Sequence, residues 1–177
     1  VNGQSISKSG FDLYLQTNIL EAIGHASGRA DYLFRNWSDG TFENVTARAG
    51  IAGKAQGHSA IWWDYDEDGW PDLYVANDFA DPDRLYRNLH DGTFLDVIDR
   101  TLPHTPHTAM GSDVGDVNND GRFDLLVADM AATTHEKDFR GMADSRSRIA
   151  EDYANPTIAP QYTRNALYLN TGLGRCQ

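Results

Sequence analysis

The chain has 177 residues, 26 acidic against 15 basic side chains, a net charge of −11 and a single cysteine, Cys176. That length can bury a sizeable core, while the acidic balance argues against a nucleic-acid partner or a polybasic membrane contact. No apolar run approaches the ~18 residues of a membrane-spanning helix, and one cysteine excludes an intrachain disulfide.

In chain order, the first strand signal is Gly10-Phe11-Asp12-Leu13-Tyr14-Leu15. Leu33-Phe34-Arg35-Asn36 follows, then Asp39-Gly40-Thr41-Phe42, where an Asp-Gly turn closes a hairpin. Ser59-Ala60-Ile61-Trp62-Trp63 reads as extended and runs into an acidic loop, Asp64-Tyr65-Asp66-Glu67-Asp68-Gly69-Trp70-Pro71-Asp72. Asp72-Leu73-Tyr74-Val75-Ala76 is short and apolar and reads as the strand beyond it. Leu85-Tyr86-Arg87-Asn88 and Asp91-Gly92-Thr93-Phe94 then repeat the earlier elements at an offset of 52 residues. The same offset carries the acidic loop to Asp116-Val117-Asn118-Asn119-Asp120-Gly121-Arg122-Phe123-Asp124, between Met110–Val114 and Leu125–Ala128. After an insertion at 135–164, Leu167-Tyr168-Leu169-Asn170-Thr171-Gly172 is a third copy of the first element.

The middle unit is thus expected to hold four strands, at about 58–64, 72–77, 84–88 and 93–98. Four short antiparallel strands repeating at this period predict an all-β fold of propeller blades. The blades fall at approximately 1–48, 57–100 and 109–177, in a single domain. Three blades are fewer than the usual four to eight. The expectation is therefore part of a larger propeller, or a ring closed by self-association.

Oxygen side chains at loop positions 1, 3, 5 and 9 with Gly at 6 suit a hard cation such as Ca²⁺, and the Gly permits the sharp turn around it. An EF-hand would need an acid at position 12, where this chain has Val75 and Val127. It would also need flanking helices, as would a dockerin, and the flanks here read as strands. A solvated acidic turn is the bland alternative, and two copies with one ligand pattern count against it.

The stretches Leu-Tyr-Arg-Asn…Asp-Gly-Thr-Phe, Asp-x-Asp/Asn-x-Asp-Gly-x-x-Asp-Leu and Val127-Ala128-Asp129-Met130 resemble the FG-GAP/VCBS repeat of integrin-α-like β-propellers. In detail they are most similar to the secreted cartilage-acidic-protein (ASPIC/UnbV-type) branch. The resemblance implies Ca²⁺ held by Asp64, Asp66, Asp68, the Trp70 carbonyl and Asp72. In the second loop it implies Asp116, Asn118, Asp120, the Arg122 carbonyl and Asp124. No Phe-Gly-Gly-Ala-Pro string occurs, which speaks against integrin-style ligand recognition but not against the blade. With four ligand carboxylates against three and an amide, the first loop is expected to bind more tightly.

Both acidic loops join strands one and two of a unit, so they share one face with the strand three-to-four turns. The segments at about 17–30, 46–57, 99–109 and 130–165 fall on the opposite face, where a recognition surface is expected. His25, His58, His104, His107 and His135 map there; His104 and His107 have a chelating spacing, against the bland reading of ordinary loop histidines. Asp144–Tyr153 reads as a short helix capped by Asp144; the insertion that holds it is a solvated loop or helix packed over the blade, or a partner-binding excursion. Of Trp62 and Trp63, one is expected in the core and the other at a blade interface; Trp37 and Trp70 are candidates for stacking on a sugar.

The functional expectation is a non-enzymatic, Ca²⁺-stabilised extracellular scaffold that binds a protein or carbohydrate ligand on the loop face. The alternative is a propeller-based carbohydrate lyase or dehydratase using His58, His107 or Tyr162. No nucleophile–base–orienter set or phosphate loop supports it.

Overall fold

The computed structural model describes residues 5–7, 11–14, 30–51, 55–78, 81–130 and 160–177. The candidate helix at 144–153, His25 and His135 lie outside them. The first sheet is antiparallel, in the order β1 (Ser5–Ser7), β2 (Phe11–Tyr14), β3 (Tyr32–Asn36), β4 (Phe42–Asn44). The second repeats it with β5 (Gln56–Trp63), β6 (Asp72–Asp78), β7 (Arg84–Asn88) and β8 (Phe94–Asp96). The third contains β10 (Ala109–Gly115), β11 (Asp124–Asp129) and β13 (Ala166–Tyr168). A short parallel pair, β9 (Thr105–Pro106) with β12 (Gln161–Tyr162), ties the end of the insertion back to the segment before the third sheet.

These are blades of an all-β propeller, built on the expected repeat. The third has three strands among the described residues, rather than four. Where a fourth would begin there is one bridge, Asn170 to Cys176, in the register of Asn36 with Phe42 and Asn88 with Phe94. Strand four of the middle unit is also shorter than expected. Val97 donates its N–H to the Leu85 carbonyl at 2.8 Å, and the chain turns into α1's counterpart: α1 is Thr46–Ala49 and α2 is Ile98–Thr101. The inner strands β5 and β10 carry the same bulge, between Gly57 and Ser59 and between Ala109 and Gly111. They meet edge to edge, with Ser59 Oγ 2.9 Å from Ser112 Oγ.

Strand alternation decides which residues meet which blade. On β6, Leu73 and Val75 join Leu33, Val45, Ala49, Ile51, Tyr86 and Phe94 in the core between the first and second sheets. Tyr74 and Ala76 point the other way and join Leu125, Val127, Ala166 and Tyr168 in the core between the second and third. The two tryptophans differ from expectation for the same reason. Trp63 packs edge-on to Tyr65 in the second core, while Trp62 packs against Phe94 and the first. Both line blade interfaces, because stacked sheets leave no blade a private core. The outer face of the third sheet presents Leu126 and Leu167, each 48% exposed. These stand where the second sheet has Tyr74 and Leu85, which are fully buried.

Candidate metal centre

Each acidic loop is wound by its own first residue. Asp64 accepts the N–H groups of Asp68 (3.1 Å) and Gly69 (3.0 Å); Asp116 accepts those of Asp120 (3.1 Å) and Gly121 (2.9 Å). Position 4 adopts the left-handed region in both, at Glu67 and Asn119 (φ 60°). Position 6 does so at Gly69 (φ 86°) and Gly121 (φ 89°), where only glycine is free of strain. The two loops therefore share one backbone path, as their common spacing predicted.

Position 9 has a second task. Asp72 is fully buried and accepts N–H bonds from Tyr65 (3.2 Å) and Asn88 (2.7 Å). Asp124 does the same with Val117 (3.0 Å) and Asn170 (2.8 Å). Each carboxylate thus ties the start of its loop to strand three of its blade. Burial pushes Asp72 up to about 7, against the two N–H bonds that favour its charged form; Asp66 and Asp68 push it further up.

The first loop brings Asp64, Asp66 and Asp72 together, with one carboxylate oxygen from each lying within 4.8 Å of the others. Asp66 Oδ1 is buried and has no hydrogen-bond partner. Burial raises the Asp66 carboxyl; Asp68 and Asp64 add to the rise, and Arg87 opposes it. Three converging carboxylates, one of which keeps a buried oxygen without a hydrogen-bond partner, are a donor set that fits a hard cation. Asp68 stands apart from the trio, its Oδ2 2.7 Å from His90 Nε2 and its Oδ1 accepting the Trp70 N–H at 2.9 Å. In the second loop Asp116, Asp120 and Asp124 are not drawn into such a group. Asn118 instead donates to Asp120 Oδ2 (3.1 Å) and accepts the Asp120 N–H (2.9 Å). The Trp70 side chain stacks on His90 with centroids 5.1 Å apart, and the Arg122 guanidinium lies between Glu67 (3.5 Å) and Asp120 (3.6 Å).

Three residues near the loops had not been singled out from the sequence. Arg87 Nε lies 2.7 Å from Asp66 Oδ2, His90 closes on Asp68, and Glu67 reaches the neighbouring loop through Arg122. Arg87 and His90 sit on strand three and the turn after it, which places that turn on the acidic-loop face. On the opposite side His58 Nε2 is 3.5 Å from Asp78 Oδ2. His104 packs on Tyr162 and Tyr168, and His107 is buried, its N–H on the Tyr162 carbonyl. Trp37 is half exposed beneath the Arg35 guanidinium, 4.2 Å away.

A family model described as FG-GAP-like repeat matches the chain twice, over residues 17–75 and 64–127. The first acidic loop closes one match and opens the next. No curated protein matches the chain.

Proposed function

This chain belongs to the FG-GAP-like repeat family, and on that premise we propose that it is a Ca²⁺-stabilised, extracellular scaffold for adhesion or ligand binding. We place it in the cartilage-acidic-protein branch, on the Leu-Tyr-Arg-Asn and Asp-Gly-Thr-Phe stretches. The observation that carries the calcium reading is the convergence of Asp64, Asp66 and Asp72, with one Asp66 oxygen buried and unpartnered. Asp64, Asp66, Asp68 and Asp72 with the Trp70 carbonyl would hold the ion in the first loop. Asp116, Asn118, Asp120 and Asp124 with the Arg122 carbonyl would hold it in the second. The bound ion supplies the positive charge that such a cluster otherwise lacks.

Its role in this reading is structural. Binding to the native state adds directly to folding stability, and Asp72 and Asp124 pass the constraint on to strand three. A ligand, protein or carbohydrate, then docks on the face opposite the acidic loops. Weak extracellular calcium modules work at about 10⁻⁴–10⁻³ M Ca²⁺, which favours a secreted or cell-surface setting. The test is thermal unfolding in EDTA and in millimolar Ca²⁺. EDTA should lower the melting temperature and Ca²⁺ should restore it; indifference to both would remove the calcium reading.

A further inference from the structure

We propose that Arg87 is a built-in counter-cation of the first acidic loop, one that holds Asp66 and Asp68 together without metal and competes with Ca²⁺ for them. The proposal rests on the calcium reading above. Arg87 projects from β7, beside β6, with Nε 2.7 Å from Asp66 Oδ2 and Nη2 3.6 Å from Asp68 Oδ2. The Nε–H meets no acceptor in line, so the approach is governed by charge and not by a directed hydrogen bond. Asp66 meanwhile keeps its other oxygen buried and unpartnered. The guanidinium thus meets one Asp66 oxygen and leaves the other without a partner.

The repeat supplies an internal comparison. Asn88 and Asn170 are matching residues, since each accepts the same register bridge and each bonds the position-9 aspartate of its blade. The residue before each is Arg87 in one blade and Leu169 in the other. Position 3 of the loop changes in step, from Asp66 to Asn118. One negative and one positive charge are lost together. In the second loop the Asn118 amide satisfies itself on Asp120 and needs no cation.

Among the described residues, other cations do not fill the same role. Arg122 Nη1 is 3.6 Å from Asp120 Oδ2, but the same guanidinium is shared with Glu67 of the other loop, 3.5 Å from its Nε. It also lies over Gly172, where a Cβ would come within 2.5 Å of Nε. His90 meets Asp68 and not Asp66. Arg35, the first-blade counterpart of Arg87, spends its charge on the Trp37 ring.

The consequence is a narrower gap between the two loops. Four carboxylates offset by the Arg87 guanidinium stand against three carboxylates with Arg122 beside Asp120, so Arg87 narrows the first loop's lead in charge without reversing it. The first loop is then less far ahead in affinity than its ligand count alone would make it.

The experiment is calorimetric Ca²⁺ titration of the chain with the second loop disabled by Asp116→Asn and Asp120→Asn, with and without Arg87→Leu. Arg87→Leu should tighten first-loop binding several-fold, up to about tenfold, the scale of removing one partly screened charge near the ion. It should also lower the melting temperature in EDTA, and adding Asp66→Asn should recover that loss by recreating the second loop's pair. Affinity unchanged within about twofold, or EDTA losses that simply add in the double variant, would overturn the proposal. If Arg87→Leu alone does not fold, folding of Asp66→Asn/Arg87→Leu is the expected rescue, and failure of both overturns it. Absence of Ca²⁺ binding both to the chain with the second loop disabled, with Arg87 present or absent, and to the parent chain with both loops intact would instead overturn the calcium reading, and the competition with it.

Discussion

Asn170, at the end of the third sheet, donates its side-chain amide to the carbonyl of Tyr65, the second residue of the first acidic loop, at 2.9 Å. The bond crosses from one blade to the loop of its neighbour, 105 residues earlier in the chain. The same Asn170 gives its backbone N–H to Asp124 and accepts the Gly172 N–H. One buried residue therefore meets the first acidic loop and the last turn through its side chain and the second acidic loop through its backbone.

Asn170→Ala should cost about 1–3 kcal/mol, because the Tyr65 carbonyl and the Gly172 N–H both lose a partner. Urea unfolding measures the loss. A change within about 0.5 kcal/mol would mean that water replaces the amide and that the loops are not coupled through it.

Asp72 and Asp66 should respond differently to truncation. Asp72→Ala leaves the buried N–H groups of Tyr65 and Asn88 unpaired, so it should lose about 2–5 kcal/mol even in EDTA. Asp66→Ala removes a ligand and the partner of the half-exposed Arg87 guanidinium but strands no buried N–H group, so in EDTA its stability should stay within about 1 kcal/mol of the parent. Its response to Ca²⁺ should shrink. Equal losses for both variants in EDTA would contradict the separation of fold and ligand roles.

Stability without calcium should fall as pH rises. Burial pushes Asp83 up to about 7, opposed by its bonds to Tyr74 and Asn77. Burial pushes Asp31 up to about 6, opposed by Arg84. Both folded values lie above the unfolded carboxylate value of ~3.9, so the folded chain binds more protons in between. Their contribution is intact below the unfolded value and is lost as pH rises through the folded ones. His104 works the other way, since burial and Arg164 lower its value. Asp72, also pushed up to about 7 by burial, acts in the same direction; with three acids against one imidazole, the melting temperature in EDTA should be higher at pH 5 than at pH 7.5. Asp83→Asn should flatten the trend; a rise in melting temperature with pH would refute the assignment.

Gly50→Ala should be more harmful than Gly69→Ala. Both residues have positive φ, 76° and 86°. A Cβ at Gly50 would lie 3.0 Å from the Phe94 carbonyl of the next blade, whereas at Gly69 it meets nothing within 4 Å. Left-handed strain alone costs about 1–2 kcal/mol. Gly69→Ala should show that cost and Gly50→Ala clearly more, read by chemical denaturation without Ca²⁺.

The repeat was legible because its signals are local. Asp-Gly turns, the 1-3-5-9 oxygen spacing with Gly at 6, and short alternating runs each depend on a few consecutive residues. They placed the loops and most strands of the middle blade within a residue or two. β1 carried no such signal, and its pairing with β2 comes only from the sheet. The turn at Ile98 into α2 follows from Val97 bonding back to Leu85, a residue in another strand.

Alternation alone could say that Trp62 and Trp63 face opposite ways, but not that each way holds another blade. Ligand spacing could nominate Asp66, but Arg87 reaches it from 21 positions later, through the β6–β7 register. Asp72 was read as a ligand, and only the fold shows it also bonded to two backbone N–H groups. The sequence by itself determined the repeat, the loop shape and the oxygen-rich chemistry, since these lie within single turns of chain. The tertiary structure decided which charges meet and which faces are buried, since those contacts arise where strands pair and blades stack.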